Sequence, residues 1–411
     1  MAKKVIHNSK KAVPAATSTP QPIFGQPKPS SDPSGFKNPV TDKSLAGLKN
    51  LEPIPQPRGG AAEPILTLEA VFGDAGAAKM QAIQSSSQIV FHSVGDTGSV
   101  AGPATQSLVS DKMVSDFNEA DPANVPAFLF HLGDMVYYFG EATYYYDQFF
   151  EPYRDYPAPI LAIAGNHDGL VYAKDPEPTL DAFLRNFCSA SPAQSPDAAG
   201  LARTTMIQPG VYFTLEAPFV RILGLYSNVL EDPGVISGQN GQNSVLDNRQ
   251  IAFLQTALAR VKSEKFAGAV IVAVHHPPFT GGSTHGGSPL MLQDIDSACQ
   301  AAGVWPHAVL SGHAHNYQRF TRTVNGMQIP YLVAGCGGHT PLSTMRATYR
   351  TPYRIDGTLT LESYDETDYG YLRVVVNATT LRIEFHPQSD KGTTKTPDDQ
   401  VTVTLATHAL S

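Results

Sequence analysis

Five apolar segments of strand length run directly into polar side chains, and this repeated pattern limits the fold more than any other feature of the chain. The segments with their polar ends read SQIVFHSVGD, AFLFHLGD, ILAIAGNHD, AVIVAVHH and HAVLSGHAH. They alternate with helical patterns, which is typical of an α/β sheet, and the carboxyl ends of strands form the edge where open α/β sheets bind ligands. The sequence therefore predicts a polar site assembled from five strand ends.

The polar residues at these strand ends are candidate metal ligands. The donors are Asp96, Asp134, Asn166, His275, His313 and His315. Oxygen and imidazole donors without a thiolate suit a hard or borderline cation, not a structural cysteine-type zinc site. The set is too large for one ion, whereas two ions that share one carboxylate would use all of it. Because a metal pair clamps the attacking and leaving oxygens of a phosphoryl displacement, hydrolysis of a phosphate ester is the predicted chemistry.

Composition separates residues 1–60 from the rest of the chain. These sixty residues contain ten prolines, and nine Lys or Arg against three Asp or Glu. This predicts a disordered, Pro-rich basic N-terminal tail, with a role in peptide recognition or at an anionic surface as the alternative. The other 351 residues carry 20 basic and 34 acidic side chains, a net charge of −14, which argues against binding a nucleic-acid backbone.

The overall composition predicts a globular chain with a large hydrophobic core. Hydrophobic residues make up 42% of the sequence, and the longest apolar run, Ala267 to Val274, is too short to span a membrane. Three widely spaced cysteines, Cys188, Cys299 and Cys336, cannot form a disulfide framework or a zinc cluster.

Together the five blocks resemble those of the purple acid phosphatases, within the calcineurin-like metallophosphoesterases. The motifs are Asp96-Thr-Gly98, Gly133-Asp134-Met-Val-Tyr137, Gly165-Asn166-His167-Asp168, Val272-Ala-Val-His275 and Gly312-His313-Ala-His315, in the family's order. The resemblance implies a four-layer α/β/β/α sandwich in which two mixed β-sheets are flanked by helices. Because only about 25 residues separate the tail from the first motif strand, we expect the single-domain type, with residues 61–411 forming one metallophosphoesterase catalytic domain.

One departure from the general metallophosphoesterase pattern favours the purple acid phosphatase branch. Most metallophosphoesterases carry Asp-x-His in the first block, but Gly98 takes the histidine position. Tyr137 stands three residues after Asp134, where the purple acid phosphatases place a metal-bound tyrosinate. A hard phenolate in place of an imidazole favours a trivalent ion, hence Fe(III). The alternative for Tyr137 is aromatic packing beside Tyr138 and Phe139.

The resemblance also implies which residue binds which ion. The implied Fe(III) ligands are Asp96, Tyr137 and His315. The implied ligands of a second, divalent ion (Fe, Zn or Mn) are Asn166, His275 and His313, and Asp134 is implied to bridge the two ions. The trivalent ion is expected to lower the pKa of a bound water and so supply hydroxide at acidic pH.

Three further residues are catalytic candidates. Family members use the position of His167 to hold the phosphate, and Asp168 either orients His167 or caps a turn. His285 lies ten residues after His275 in a Gly/Ser-rich loop. The family has a histidine near this spacing that assists the leaving group, and a solvated loop residue is the alternative.

The predicted function is an acid phosphatase that hydrolyses small phosphate monoesters. A phosphodiesterase or nucleotide pyrophosphatase on the same metals is the nearest alternative, and a non-catalytic metal-binding protein is another. No nucleic-acid or membrane partner is expected, and the sequence does not indicate an oligomeric state. No apolar region follows the basic start, so cytoplasmic location is the default expectation, while the family resemblance allows export.

Overall fold

The computed structural model describes residues 53–170, 178–238, 245–390 and 396–411. Residues 1–52 of the predicted tail lie outside this part of the chain. From Pro53 onward the chain packs on the domain: Ile54 is buried, and the Arg58 guanidinium donates to the carbonyl oxygens of Cys188 and Ile207. Packed structure therefore begins within the predicted tail, ahead of residue 61.

The described residues form seven α-helices and sixteen β-strands. The helices are α1 Leu68–Val71, α2 Gly76–Ser85, α3 Ala104–Ser115, α4 Asn166–Gly169, α5 Asp181–Phe187, α6 Arg249–Ser263 and α7 Pro289–Ala302. The strands are β1 Ile65–Thr67, β2 Gln88–Val94, β3 Leu129–His131, β4 Ile160–Ala162, β5 Phe213–Ala217, β6 Val220–Leu225, β7 Ala269–Val274, β8 Ala308–Ser311, β9 Tyr317–Val324, β10 Met327–Ala334, β11 Tyr353–Arg354, β12 Leu359–Asp365, β13 Gly370–Asn377, β14 Thr380–Pro387, β15 Asp399–Thr404 and β16 Ala409–Leu410.

The strands form two mixed sheets. One has nine strands in the order β1-β5-β6-β7-β8-β10-β9-β12-β11, and the other has seven in the order β16-β15-β14-β13-β2-β3-β4. Strands β6, β7, β8 and β10 run parallel in the first sheet, and β2, β3 and β4 run parallel in the second. All five strands that precede the candidate ligands belong to these two parallel groups.

Successive side chains of a strand point to opposite faces of its sheet, one face toward the other sheet and one toward the helices. The alanines and the isoleucine of β7 lie in the core between the two sheets, whereas its valines pack in a cluster with the leucines of α6. Across the inner core, the rings of Tyr317 on β9 and Phe385 on β14 stack at 4.0 Å. On the outer face of the seven-stranded sheet, α3 contributes Val109 and Met113. The predicted pair of mixed sheets flanked by helices is confirmed.

Local sequence accounts for several element boundaries. The apolar runs predict strands over 88–94 and 269–274, and β2 and β7 have these bounds. The turn between β13 and β14 is closed by Asn377, whose Oδ1 accepts the N–H groups of Thr379 and Thr380. The sequence pattern predicts a helix over 247–263 that Asp247 caps; the observed helix begins at Arg249, with Asn248 at the capping position. The sequence also predicts a helix over 144–154, where the structure has a short π-helical segment, Tyr146–Phe150. None of the described helices combines the length and apolar character that crossing a bilayer requires.

Candidate metal centre

The carboxyl ends of five parallel strands meet at one edge of the two sheets. β2, β3 and β4 lead into Asp96, Asp134 and Asn166, and β7 and β8 lead into three histidines, His275, His313 and His315. A hydrogen bond from the His275 ring to the carbonyl oxygen of Leu132, which follows β3, joins the two sheets here. The structure thus brings the predicted strand-end residues into one buried cluster.

The first group of donor atoms surrounds the phenol of Tyr137. Its Oη lies 3.0 Å from Asp134 Oδ2, 3.2 Å from Asp96 Oδ1 and 3.3 Å from His315 Nε2. Asp96 Oδ1 and His315 Nε2 are 3.4 Å apart. The tyrosine is therefore in the middle of the predicted Fe(III) group and not merely in an aromatic stack.

The second group surrounds the amide oxygen of Asn166. Its Oδ1 lies 3.1 Å from His275 Nε2 and 3.1 Å from His313 Nδ1. His275 Nε2 is also 3.2 Å from Asp134 Oδ2, the same oxygen that contacts Tyr137. Asp134 Oδ2 therefore adjoins both groups, as a bridging ligand must.

In several of these side chains, one ring nitrogen or carboxylate oxygen is hydrogen-bonded to the backbone. The other nitrogen or oxygen faces the cluster and is left to bind a metal. Nδ1 of His275 bonds to Leu132 O, and Nε2 of His313 bonds to Glu231 O at 2.7 Å. On the acids, Asp96 Oδ2 accepts the His313 backbone N–H, and Asp134 Oδ1 accepts the His167 backbone N–H. Second contacts of this kind select one imidazole tautomer and one carboxylate oxygen for a metal.

The donor set fits two metal ions. Each group offers four donors with Asp134 Oδ2 in common, and the five pairs of neighbouring donors that involve Tyr137, Asp96, Asp134, His275 or His315 lie 3.0–3.4 Å apart, a separation compatible with donors that bind one ion at about 2.0–2.2 Å. Asp134, His275 and His313 lie close enough together to hold one ion and are all buried. Carboxylate, amide, imidazole and phenol donors without a thiolate exclude a structural cysteine-type zinc site.

Comparison with known families agrees with this geometry. The calcineurin-like phosphoesterase model matches residues 94–317, which is more than half of the chain and contains all seven proposed ligands. The chain belongs to the calcineurin-like phosphoesterase family. Membership implies a metal-dependent phosphoester hydrolase that acts on small phosphate esters. No curated protein matches the chain.

Solved structures are similar in fold. GAP50, described as the anchor in the inner membrane complex of Plasmodium, is 14% identical, with 77% of this chain and 88% of that chain covered and a TM-score of 0.50. PhoD is 11% identical over 79% and 71% of the two chains, with a TM-score of 0.45. A putative 5'-nucleotidase from Staphylococcus aureus is 15% identical over 70% and 51%, with a TM-score of 0.35. At 14% identity the likeness to GAP50 concerns the fold alone.

In this calcineurin-like phosphoesterase, no side chain larger than that of glycine fits at position 98. A Cβ at this position would overlap the carbonyl oxygen of Met135 and lie 2.7 Å from Gln148 Oε1. The Gln148 amide in turn accepts the Tyr137 backbone N–H at 2.9 Å and donates to the Tyr137 carbonyl oxygen at 2.8 Å. The loop that presents Tyr137 therefore occupies the space that a histidine at position 98 would need.

The electrostatics of the cluster favour bound cations. Burial, opposed by the charge of His275 and aided by that of Asp134, raises the pKa of Asp96 to about 8. Burial and the two carboxylates raise the pKa of Tyr137 well above its usual value. For His275, burial lowers the pKa, but Asp134 and Asp96 outweigh burial and raise it to about 9. Ionising Asp96 and the Tyr137 phenol in this buried space calls for additional positive charge, which metal ions supply.

The three catalytic candidates occupy different environments. The His167 ring is buried beside Tyr137, with Nδ1 bonded to the Tyr138 carbonyl oxygen at 2.8 Å. His285 is buried and not a solvated loop residue, and its ring lies 4.2 Å from that of His313 and 5.2 Å from that of His315.

Asp168 contacts backbone N–H groups of its own turn and of the loop after β3. One carboxylate oxygen accepts the N–H groups of Asp134 and Gly165, and the other accepts that of Met135 at 3.0 Å, with Val136 at 3.4 Å. It joins the loops after β3 and β4 and thereby positions the backbone of Asp134.

Sequence reasoning missed several residues that complete the site. Gln148 holds the Tyr137 backbone, and Glu231 and Asp232 lie beside the second donor group, where Asp232 Oδ1 is 3.7 Å from His313 Nε2. His339 is buried and packs its ring 4.0 Å from that of Tyr137. Gln148 comes from the π-helical segment Tyr146–Phe150 and the other three from loops, and the local sequence of these segments contains no metal-site pattern.

Proposed function

We propose that this calcineurin-like phosphoesterase is a purple acid phosphatase-type enzyme that hydrolyses phosphate monoesters with an Fe(III) and a second divalent ion. The observation that supports it most is the position of the Tyr137 Oη, 3.0–3.3 Å from three other proposed ligands. The absence of a side chain at position 98 supports the same branch, because the Tyr137 loop fills that space.

In the proposed assignment, Asp96, Tyr137 and His315 hold the Fe(III). Asn166, His275 and His313 hold the divalent ion, and Asp134 contacts both. When bound, the metal pair supplies Lewis-acid activation of water and charge stabilisation of the phosphoryl group. The chain itself provides the preorganisation: both aspartates are buried and each has one oxygen fixed by a backbone N–H.

His167 is proposed to bind a phosphoryl oxygen. With Nδ1 engaged by the Tyr138 carbonyl oxygen, Nε2 is the ring atom left for substrate, and it donates a hydrogen bond when the ring carries both protons. Asp168 keeps a positioning role, because its contacts are to backbone N–H groups of the adjoining loops.

His285 is proposed to assist departure of the leaving group. Its ring lies over His313 and His315, which belong to different donor groups. General acid catalysis contributes roughly 10²–10⁴-fold and matters most for a poor leaving group. We expect His285→Ala to slow hydrolysis of an alkyl phosphate far more than that of a nitrophenyl phosphate. Equal losses for both substrates would assign His285 to substrate binding instead.

The central experiment combines a spectrum with a substrate comparison. The oxidised full-length protein with iron and zinc bound is expected to show a visible phenolate-to-Fe(III) charge-transfer band, which Tyr137→Phe abolishes and the matched Tyr138→Phe retains. It should hydrolyse an aryl phosphate monoester faster than a bis-aryl diester, with an optimum at acidic pH. A colourless wild-type protein with stoichiometric ferric iron would contradict the tyrosinate, and faster diester turnover would favour the phosphodiesterase alternative. Bound metals without turnover of either substrate would favour the non-catalytic alternative.

A further inference from the structure

His339, in the loop after β10, lies against the first donor group but is not one of its proposed ligands. The centre of its ring is 4.0 Å from that of Tyr137 and 4.2 Å from that of His315. The ring of His167, which is proposed to bind a phosphoryl oxygen, is 4.4 Å from the same tyrosine ring. Two imidazoles that are not among the seven proposed ligands therefore border the ring of Tyr137.

The backbone at His339 is fixed by contacts with the loop after β2 and with α3. The His339 N–H donates to the Asp96 carbonyl oxygen at 2.9 Å, and the Thr105 hydroxyl donates to the Gly338 carbonyl oxygen at 2.6 Å. A Cβ at position 338 would lie 2.5 Å from the Thr97 carbonyl oxygen, so the two loops pack backbone against backbone. The imidazole of His339 therefore projects from a firmly held backbone.

The two ring nitrogens of His339 have different contacts. Nδ1 lies 3.1 Å from the Gly98 carbonyl oxygen, which can only accept a hydrogen bond, so the proton of the neutral ring is on Nδ1. Nε2 then carries a free lone pair and has no hydrogen-bond partner among the described residues. Unlike Nδ1 of His285, this nitrogen is not sealed from solvent, so a substrate atom can reach it. His339 therefore offers the site a hydrogen-bond acceptor.

We propose that His339 Nε2 accepts a hydrogen bond from the P–OH group of a monoanionic phosphate monoester, and that this contact selects monoesters over diesters. At acidic pH a monoester keeps one phosphoryl proton, because its second pKa is about 6. A diester of the same charge has no P–OH and leaves Nε2 without a partner, and a site built for a hydrogen bond discriminates against a ligand that cannot make it. The inference rests on the proposed function and deepens it, because it names the ester class and the protonation state that the site recognises.

Two substrates that differ only at the phosphoryl proton test this contact at pH 5. 4-Nitrophenyl phosphate and methyl 4-nitrophenyl phosphate have the same leaving group and a single negative charge at that pH, but only the first has a P–OH. In the full-length protein with iron and zinc bound, His339→Phe should lower kcat/KM for the monoester about tenfold, the effect of one hydrogen bond, and leave that for the diester nearly unchanged.

Two further variants control for the loss of the ring and for the fold. His339→Gln, which keeps an acceptor oxygen, should retain part of the preference for the monoester, and it replaces His339→Phe if that variant fails to fold. His408→Phe makes the same substitution at a histidine outside the site, where the ring stacks on that of His307. It should leave the rates of both substrates unchanged. Iron and zinc content is measured in every variant and should equal that of the wild type.

A binding measurement separates this inference from the proposed function. At pH 5 methylphosphonate has a P–OH but no ester bond to hydrolyse, and its monomethyl ester has no P–OH. By calorimetry, the wild type should bind methylphosphonate about tenfold more tightly than His339→Phe does, whereas the two proteins should bind the methyl ester equally. If the wild type shows this preference but hydrolyses no phosphate ester, the proposed function fails and the inference stands.

Three results would overturn the inference. Equal proportional losses for monoester and diester in His339→Phe would mean that the residue supports the site in general or donates a proton to a phosphoryl oxygen. Unchanged kinetics and unchanged binding would mean that Nε2 meets no substrate atom. Loss of iron in both His339 variants would mean that the residue holds Tyr137 or the ion itself and does not read the substrate.

Discussion

Replacing Gln148 by leucine separates the position of Tyr137 from the general stability of the fold. The Gln148 amide satisfies both backbone polar groups of Tyr137, the N–H at 2.9 Å and the carbonyl oxygen at 2.8 Å, and all three groups are buried. Leucine has a similar size but can neither accept nor donate a hydrogen bond. In Gln148→Leu, the loop that carries the proposed tyrosinate ligand therefore has two unsatisfied buried groups.

The expected loss of stability follows from these two groups. Each buried backbone group left without a partner costs about 1–3 kcal/mol, so the total is about 4 kcal/mol. Unfolding entropy of roughly 2.1 cal/mol/K per residue over roughly 350 ordered residues gives about 0.7 kcal/mol/K, so Tm should fall by about 5 °C. Because the Tyr137 backbone is released, we also expect a weaker or shifted charge-transfer band and a lower iron affinity.

The chain contains a matched control for this substitution. Gln250, in α6, is equally buried and makes the same pair of hydrogen bonds to the backbone of Tyr226, each 2.8 Å long. Gln250→Leu should lower Tm by a similar amount while leaving the visible band and iron content unchanged. Both variants are compared by thermal unfolding, visible spectroscopy and metal analysis. If Gln148→Leu loses stability but keeps the wild-type band and iron content, the positioning argument is wrong.

The other predictions concern sterics, the bridging ligand and pH. Gly98→Ala should displace the tyrosine loop and reduce iron content, whereas Gly357→Ala, where a Cβ meets nothing within 4 Å, should not; equal iron content in both would contradict the steric argument. Asp134→Asn should impair both metal sites and Asn166→Ala mainly the divalent one, and retention of two ions with near-normal rate in Asp134→Asn would refute bridging. Burial lowers the pKa of His131 to about 3, so the neutral ring is favoured in the folded state and the unfolded state binds a proton more readily. The stability that His131 contributes is therefore complete above about pH 6.5, and the free energy of unfolding should fall by about 2 kcal/mol between pH 7 and pH 5. In urea titrations at pH 7 and pH 5, the free energy of unfolding of His131→Asn should fall by about 2 kcal/mol less than that of the wild type. Equal falls in the two proteins would argue against a neutral buried imidazole.

The sequence by itself determined those features that depend on neighbouring residues. The ends of β2 and β7 could be predicted because apolar runs of strand length stop where polar residues follow. Asp96 and Asp134 could be placed at one edge because each follows a parallel strand within a few residues. The calcineurin-like phosphoesterase family could be named for the same reason, since its motifs are short segments that include a strand end.

Only the tertiary structure decided which side chains surround the ligands. Gln148 lies eleven residues from the backbone it holds, and the Glu231 carbonyl lies 82 residues from the His313 ring that it orients. No local period or spacing marks Gln148 or the Glu231 carbonyl for such a contact, because the contact exists only after two sheets have packed and brought their strand ends together. For the same reason the turn-capping contacts of Asp168 and the burial of His285 could not be read from the chain: both depend on the loops of neighbouring strands, and burial is a property of the assembled layers.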